Sequence, residues 1–236
     1  MNNTLKIYCK NINEYIAIRG GETLQEIFLR ISDKINLTPI CAKVNNRTED
    51  LAFPVYSPKQ IEFIDSTSAS GNRVYIRSLC MILYKAVEDV VKGLHLRIEH
   101  SISKGHYCRL INPNNGIAEN VTDELVSEIK CRMNEIINAD IPFVRKEKLT
   151  TDVIEIFKSQ NLNDKVQLLE TGHNLYTVYY QLDNLCDCYY GPLAPSTACI
   201  RTFNLQQYKE GFLLLGHSND NPEIAQSPIK QEKMFG

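Results

Sequence analysis

The most restrictive stretch of this sequence lies between Leu5 and Ile35. Residues 5–10 (LKIYCK) alternate, placing Leu5, Ile7 and Cys9 on one face. Residues 14–19 (EYIAIR) alternate again, with Tyr15, Ala17 and Arg19 opposite Ile16 and Ile18. A period of two is that of a half-buried strand, and Asn11-Ile12-Asn13 between the two segments is turn chemistry, so the pair predicts a hairpin. Gly20-Gly21 ends it. Thr23-Leu24-Gln25-Glu26 then reads as a capping box, in which the threonine hydroxyl accepts the third helical N–H and the glutamate reaches back to the cap. Leu24, Ile27, Phe28, Ile31 and Ile35 follow at helical spacing and make one apolar stripe. After Pro39, segments 41–46 and 61–66 read as two further strands.

Strand, strand, helix, strand, strand within residues 1–67 is the order of a β-grasp, ubiquitin-like domain. The small, polar segment 66–72 (STSASGN) predicts a linker or a helix lead-in. A second domain is expected over 68–225, with 226–236 as a further linker. In it, Leu79, Ile82, Leu83, Ala86, Val87 and Val90 predict a helix over about 74–91. HLRIEH (95–100) and SKGHYCRL (103–110) predict a hairpin around Gly105. Thr122 caps a helix whose stripe is Val126, Ile129, Met133, Ile136 and Ile137, and a shorter helix is expected over 151–159. Segments 175–182, 198–205 and 211–218 read as strands. Helices segregated from antiparallel strands give an α+β fold.

The charge balance of 26 Lys+Arg against 28 Asp+Glu, a net charge of −2, excludes a strongly basic nucleic-acid binder but leaves room for a local basic patch. No run approaches about 18 apolar residues and the start lacks a signal-peptide layout, so a cytoplasmic protein with no membrane partner is expected. The eight cysteines include no C-x-x-C pair. Cys186 and Cys188 form a C-x-C without a second pair or a histidine cluster, so reduced thiols and no metal site are expected. P-loop, G-x-G-x-x-G, G-x-S-x-G and H-E-x-x-H motifs are all missing, and no catalytic residue is assigned. Arg145 to Lys148 (RKEK) reads as a solvated charged run, and the N-x-T matches at Asn2, Asn46 and Asn120 as chance.

AKVNNRTEDL and QIEFIDSTSASG in the first domain, and RSLCMILYKAV, KGHYCRL, DCYYGPLAPST and FNLQQYKEGFLLLGHSNDN in the second, resemble the threonyl-tRNA synthetase family. The likeness is to its N-terminal half, a TGS domain followed by the second additional, editing-type domain, and it covers nearly the whole chain. In that family the editing site uses two histidines four apart on one helix, plus a cysteine and a histidine around the G-P turn. The matching positions here are Arg77, Met81, Tyr189 and Leu193. Neither Met81 nor Leu193 ligates a hard metal or moves a proton, so the hydrolase chemistry is expected to be absent.

IRSLCMILYKAV, RIEHSISKGHYC, LDNLCDCYYGPLAPST and the closing KQEKM also resemble the N-terminal region of bacterial nucleoside kinases of the uridine kinase type. That resemblance implies a non-catalytic regulatory or ligand-binding module, followed in the parent by a covalently linked P-loop kinase domain that would use ATP and Mg²⁺. The chain ends at Met234-Phe235-Gly236 before any such motif. The alternatives are a stand-alone tRNA-binding module and a trans-editing deacylase. Candidate ligand residues are Arg77, His100, Lys104, Tyr189 and Tyr190. They read either as a relic pocket for a nucleotide, nucleoside or RNA, with the cations supplying charge and the tyrosines stacking a base, or as polar residues satisfying local backbone. Asp187 orients Arg77 or caps a turn. His217 and Asn219 read as structural, and His95 and His173 as loop or rim. The tyrosine run Tyr176, Tyr179, Tyr180, Tyr189 and Tyr190 reads as sheet core and edge in preference to a base-stacking platform.

Overall fold

The computed structural model describes residues 4–102, 104–218 and 220–228. The chain divides into two compact units that are not contiguous in sequence. One is Met1–Arg77 with Ile141–Ser196, the other Ser78–Asp140 with Thr197–Gly236. The sequence places its boundaries at 67/68 and 225/226; the last linker lies largely outside the described residues.

The predicted hairpin forms as β1 (Thr4–Cys9) and β2 (Glu14–Arg19). The short β3 (Glu22–Thr23) leads into α1 (Leu24–Ile31), followed by β4 (Cys41–Val44), β5 (Arg47–Glu49), β6 (Pro54–Val55) and β7 (Gln60–Ile64). The capping box is complete: Glu26 N–H donates to Thr23 Oγ1 at 3.2 Å, and Thr23 N–H donates to the Glu26 carboxylate at 2.8 Å. Five strands order as β2-β1-β7-β4-β5, with β1 and β7 parallel. Ile7, Cys9, Ile18, Ala42, Val44, Ile61 and Phe63 turn inward onto Leu24, Ile27 and Ile31 of α1, each buried. Burying an aliphatic side chain of this size contributes about 1.5–3 kcal/mol, so this one face holds the sheet and helix together.

The next helix, α2 (Ala69–Val90), starts five residues before the predicted 74. The second unit then builds β8 (His95–Ile102), β9 (Gly105–Ile111), β10 (Ala118–Glu119) and α3 (Asp123–Asn138). The five apolar positions predicted for α3 are all buried, and Leu125 N–H donates to the capping Thr122 hydroxyl at 3.3 Å. The chain returns to the first unit as β11 (Val144–Leu149), α4 (Thr150–Ser159), α5 (Asn163–Thr171), β12 (Tyr176–Leu182) and β13 (Leu185–Asp187). It ends in the second unit with β14 (Asn204–Tyr208) and β15 (Gly211–Leu215), in a sheet ordered β10-β9-β15-β14 with β8 also on β9. The strand predicted at 198–205 thus starts only at Asn204, after a 3-10 turn at Thr197–Cys199. The RKEK run makes up most of strand β11, in full antiparallel register with β12, and its side chains stay largely exposed. Among the described residues, no helix is long and apolar enough to cross a membrane.

Segment 141–196 is tied to the β-grasp part of its own unit by a buried polar contact. Tyr180 Oη donates to Asp50 Oδ2 at 3.0 Å, and Arg145 lies 3.7 Å from the same oxygen. Burial, together with the Asp50 carboxylate, pushes the Tyr180 phenol well above its ordinary range. Tyr180→Phe leaves the Asp50 acceptor without its phenol donor. It should lower stability by about 1–3 kcal/mol in urea unfolding followed by circular dichroism.

In the second unit, Lys85 is buried and its ammonium lies 2.5 Å from Asp89 Oδ1. Arg132 holds the other oxygen of that carboxylate at 2.9 Å and Glu135 at 2.7 Å. Burial works against the Asp89 anion, yet the hydrogen bonds and charges of Lys85 and Arg132 outweigh it and hold the carboxyl below its ordinary range.

Candidate functional site

The turn after β13 carries the loop that the sequence singled out. Asp187 is buried, accepts the Cys188 N–H at 2.7 Å and pairs with Lys165 of α5 at 3.0 Å. Its ion partner is therefore Lys165, and it also caps the turn. Burial alone would lower the Lys165 pKa, but the charge and hydrogen bond of Asp187 raise it. The same ammonium lies 6.0 Å from the Tyr189 ring, at the outer limit of a cation–π contact. Lys165 escaped the sequence reading because nothing local links it to a residue beyond the next strand pair.

Arg77 closes over this loop. Its Nε donates to the Pro192 carbonyl and its Nη1 to the Tyr190 carbonyl, each at 3.2 Å. Gly191 between them has φ +127°, and a Cβ there would come within 2.9 Å of the guanidinium carbon. Only glycine leaves room for this flat approach. Burial first, and the neighbouring Arg73 charge next, lower the Arg77 pKa, with Tyr180 and Cys41 opposing. Arg77 thus holds backbone carbonyls and shapes the loop. Leu193, two residues on, is fully buried, as is Met81 on α2.

Beside the loop lies a cavity of about 350 Å³, within the size range of small-ligand sites. Tyr176, Tyr189 and Tyr190 line it, over Leu168, Leu169 and Val178. Tyr190 is 89% exposed and Tyr176 57%, whereas Tyr179 and Tyr180 are core, as the sequence expects. At its polar end the Thr150 hydroxyl donates to the Asn174 carbonyl at 2.6 Å and lies 2.8 Å from the Thr177 hydroxyl. A wall of phenol rings with hydroxyls at one end suits a planar ring that carries hydrogen-bonding groups.

His100 and Lys104 belong to the second unit. The β8–β9 register shifts between Ile98 and Ser101, so His100 sits in a bulge, edge-on to Tyr107 at 6.0 Å. Lys104 stands in the exposed turn with φ +67°. The bulge and the turn remove the simple alternation by which these two side chains would share a face. His106 is partly buried, which lowers its pKa. His95 and His173 are exposed, and His217 is buried with Nδ1 2.9 Å from the Ser218 carbonyl. Asn219 lies outside the described residues. No cluster of three or more His, Cys, Asp or Glu side chains with metal-binding placement occurs among the described residues.

No family model matches the chain. It is similar to threonine–tRNA ligases. Identity is 28% over 204 residues with that of Desulforamulus reducens, covering 85% of this chain and 31% of that protein. It is 28% over 195 residues with that of Pelodictyon phaeoclathratiforme, covering 81% and 29%. Threonine–tRNA ligase 1 of Bacillus subtilis is 26% identical over 186 residues, covering 78% and 28%. The chain thus spans less than a third of the length of these relatives.

These relatives correct one expectation. They are threonine–tRNA ligases, not uridine kinases, so the nucleoside kinase reading, its transferase activity and its linked kinase domain are withdrawn. The loop string DCYYGPLAPST carries both resemblances and therefore never distinguished them.

Proposed function

We propose that this chain is a tRNA-binding module that receives an unpaired nucleotide in its tyrosine-lined cavity and does not hydrolyse the aminoacyl ester. The observation that carries the reading is its similarity to threonine–tRNA ligases across most of its length. The cavity supports it. Tyr176 and Tyr190 present exposed rings on which any base can stack, and Thr171, Thr177 and Asn174 offer hydrogen-bonding groups to its edge.

The chemistry at the four editing-type positions supports binding without hydrolysis. Met81 and Leu193 are a buried thioether and a buried hydrocarbon, Arg77 is engaged with carbonyls, and Tyr189 replaces a thiol. None of the four is a general base near neutral pH. Arg77 is then a positioning residue for the loop, and Tyr189 and Tyr190 are ligand residues.

A mobility-shift titration with unfractionated tRNA at two salt concentrations tests the binding. Complex formation at low salt, weakening as salt rises, is expected. Replacing Tyr176 and Tyr190 together by alanine should weaken it about tenfold or more, since each stacked base contributes ~1–3 kcal/mol. An absence of complex at low salt rejects the reading. In parallel, tRNA-Thr mischarged with serine should lose its amino acid no faster with the protein than in buffer, and measurable deacylation rejects the non-hydrolytic assignment.

A further inference from the structure

The cavity is not the only aromatic surface in the first unit. The five-stranded sheet has α1 on one face; the other carries Lys6, Tyr8 and Lys10 from β1, and Tyr15, Ala17 and Arg19 from β2. The register places Tyr8 directly opposite Tyr15 and Lys6 opposite Ala17. The two phenol rings lie 5.2 Å apart, and Tyr15 is 75% exposed. The Tyr8 hydroxyl donates to the Asn13 side chain in the hairpin turn, which fixes that ring.

Charge on this face is one-sided. Lys43 continues the row from β4, opposite Glu62 of β7, and Glu62 also pairs with Lys10 at 3.3 Å. Lys6 and Lys10 flank Tyr8 on β1, Arg19 lies at the far end of β2 opposite Thr4, and Lys43 faces Glu62 on the inner strands, in a chain whose total charge is −2. Among the described residues, Lys6 and Lys43 form no salt bridge. A fold does not need two tyrosine rings in tilted contact on the solvent side of a sheet, nor cations spaced along the same face. Burial would favour hiding the rings, and mutual repulsion would favour dispersing the charges.

We propose that this open sheet face is a stacking platform for single-stranded RNA, with bases on Tyr15 and Tyr8 and the phosphates along Lys6, Arg19 and Lys43. Aromatic rings on a sheet provide sequence-tolerant stacking, and flanking cations follow the backbone. The platform rests on the RNA-binding reading and extends it to a second surface, on different strands from the cavity.

The test titrates the full chain with an unstructured oligouridylate of about ten nucleotides, within the span such platforms cover, and with tRNA. Tyr15→Ala is expected to weaken oligouridylate binding about tenfold. Lys6→Glu is expected to weaken it and to reduce the slope of log K against log salt by about 0.7 or more. Leu29→Ala, which removes an exposed side chain on α1, across the sheet from this face, should change neither. Because Tyr15 and Lys6 are exposed, circular dichroism melts of both variants should match the parent. If tRNA and oligouridylate bind the Tyr15 and Lys6 variants as tightly as the parent, the platform is wrong while the RNA-binding reading stands. If the parent binds neither at low salt, both fall. If the parent instead forms a dimer that Tyr15→Ala dissolves, the face belongs to self-association and the platform is overturned.

Discussion

Gly71→Ala is expected to destabilise the protein by more than about 4 kcal/mol. A Cβ at this position would sit 1.7 Å from the Asp65 carbonyl oxygen and 3.2 Å from the Ser66 Cα. Both are backbone atoms, so no side-chain rotation relieves the clash, and either β7 or the first turn of α2 must move. The first turn is itself anchored, because Gly71 N–H donates to the Ser68 hydroxyl at 3.1 Å. A rigid collision on both sides places this substitution in the rare class whose effect exceeds ordinary core repacking. With no tryptophan in the chain, the measurement is urea unfolding followed by circular dichroism at the helical band. A midpoint within error of the parent would show that the turn yields easily.

Asp89→Asn should cost about 3 kcal/mol or more at neutral pH. Lys85 is 4% exposed, and the substitution takes away the carboxylate charge facing its ammonium at 2.5 Å. Because the Asp89 pKa is lowered in the folded state, its contribution is fully present above the unfolded value of about 3.9 and is lost as pH falls through the lower folded value. The stability difference between parent and variant should therefore be constant from neutral pH down to about 5 and then shrink in acid. Lys85→Met with Asp89→Leu removes both charges at once and should cost much less than Asp89→Asn alone, since hydrophobic pairs often replace buried ion pairs at little cost. Equal losses from the single and double changes would mean that packing, not charge, holds this junction.

The parts of the fold that were legible are those whose signal is local. Alternation in 5–10 and 14–19, and the capping box at Thr23, reappear as β1, β2 and α1 with the predicted faces inward. The start of α2 falls inside STSASGN, which by its small polar composition reads as either a linker or a helix lead-in. In the structure, Ser68 accepts the Gly71 N–H, and Gly71 must be small to pass Asp65. Strand β11 was hidden for a related reason: RKEK has no apolar alternation, and only pairing with β12 makes it a strand.

The candidate site divides in the same way. Tyr189 and Tyr190 were visible because the G-P loop marks them, and the structure sets both on the cavity with Tyr176. The sequence presents Arg77 as a ligand cation because a lone arginine at a histidine position carries no sign of its partners. Its two carbonyl acceptors lie more than a hundred residues downstream. The proposed platform on β1 and β2 is not legible in the alternation that places Tyr15 and Arg19 on one face. Recognising it required Lys43, which reaches that face only through β4 and β7.

The division of the chain has a consequence for its biosynthesis. The first compact unit includes Ile141–Ser196, and Asp50 finds its phenol donor only at Tyr180. As the chain leaves the ribosome, the β-grasp segment appears early but waits for this later segment to complete its unit. Meanwhile the residues between, Ser78 to Asp140, emerge before their own closing strands, β14 and β15. Neither unit is complete until a segment on the far side of the other has emerged, although the β-grasp core draws only on residues up to Phe63 and can form first. Its assembly awaits contacts distant in sequence, which slow folding.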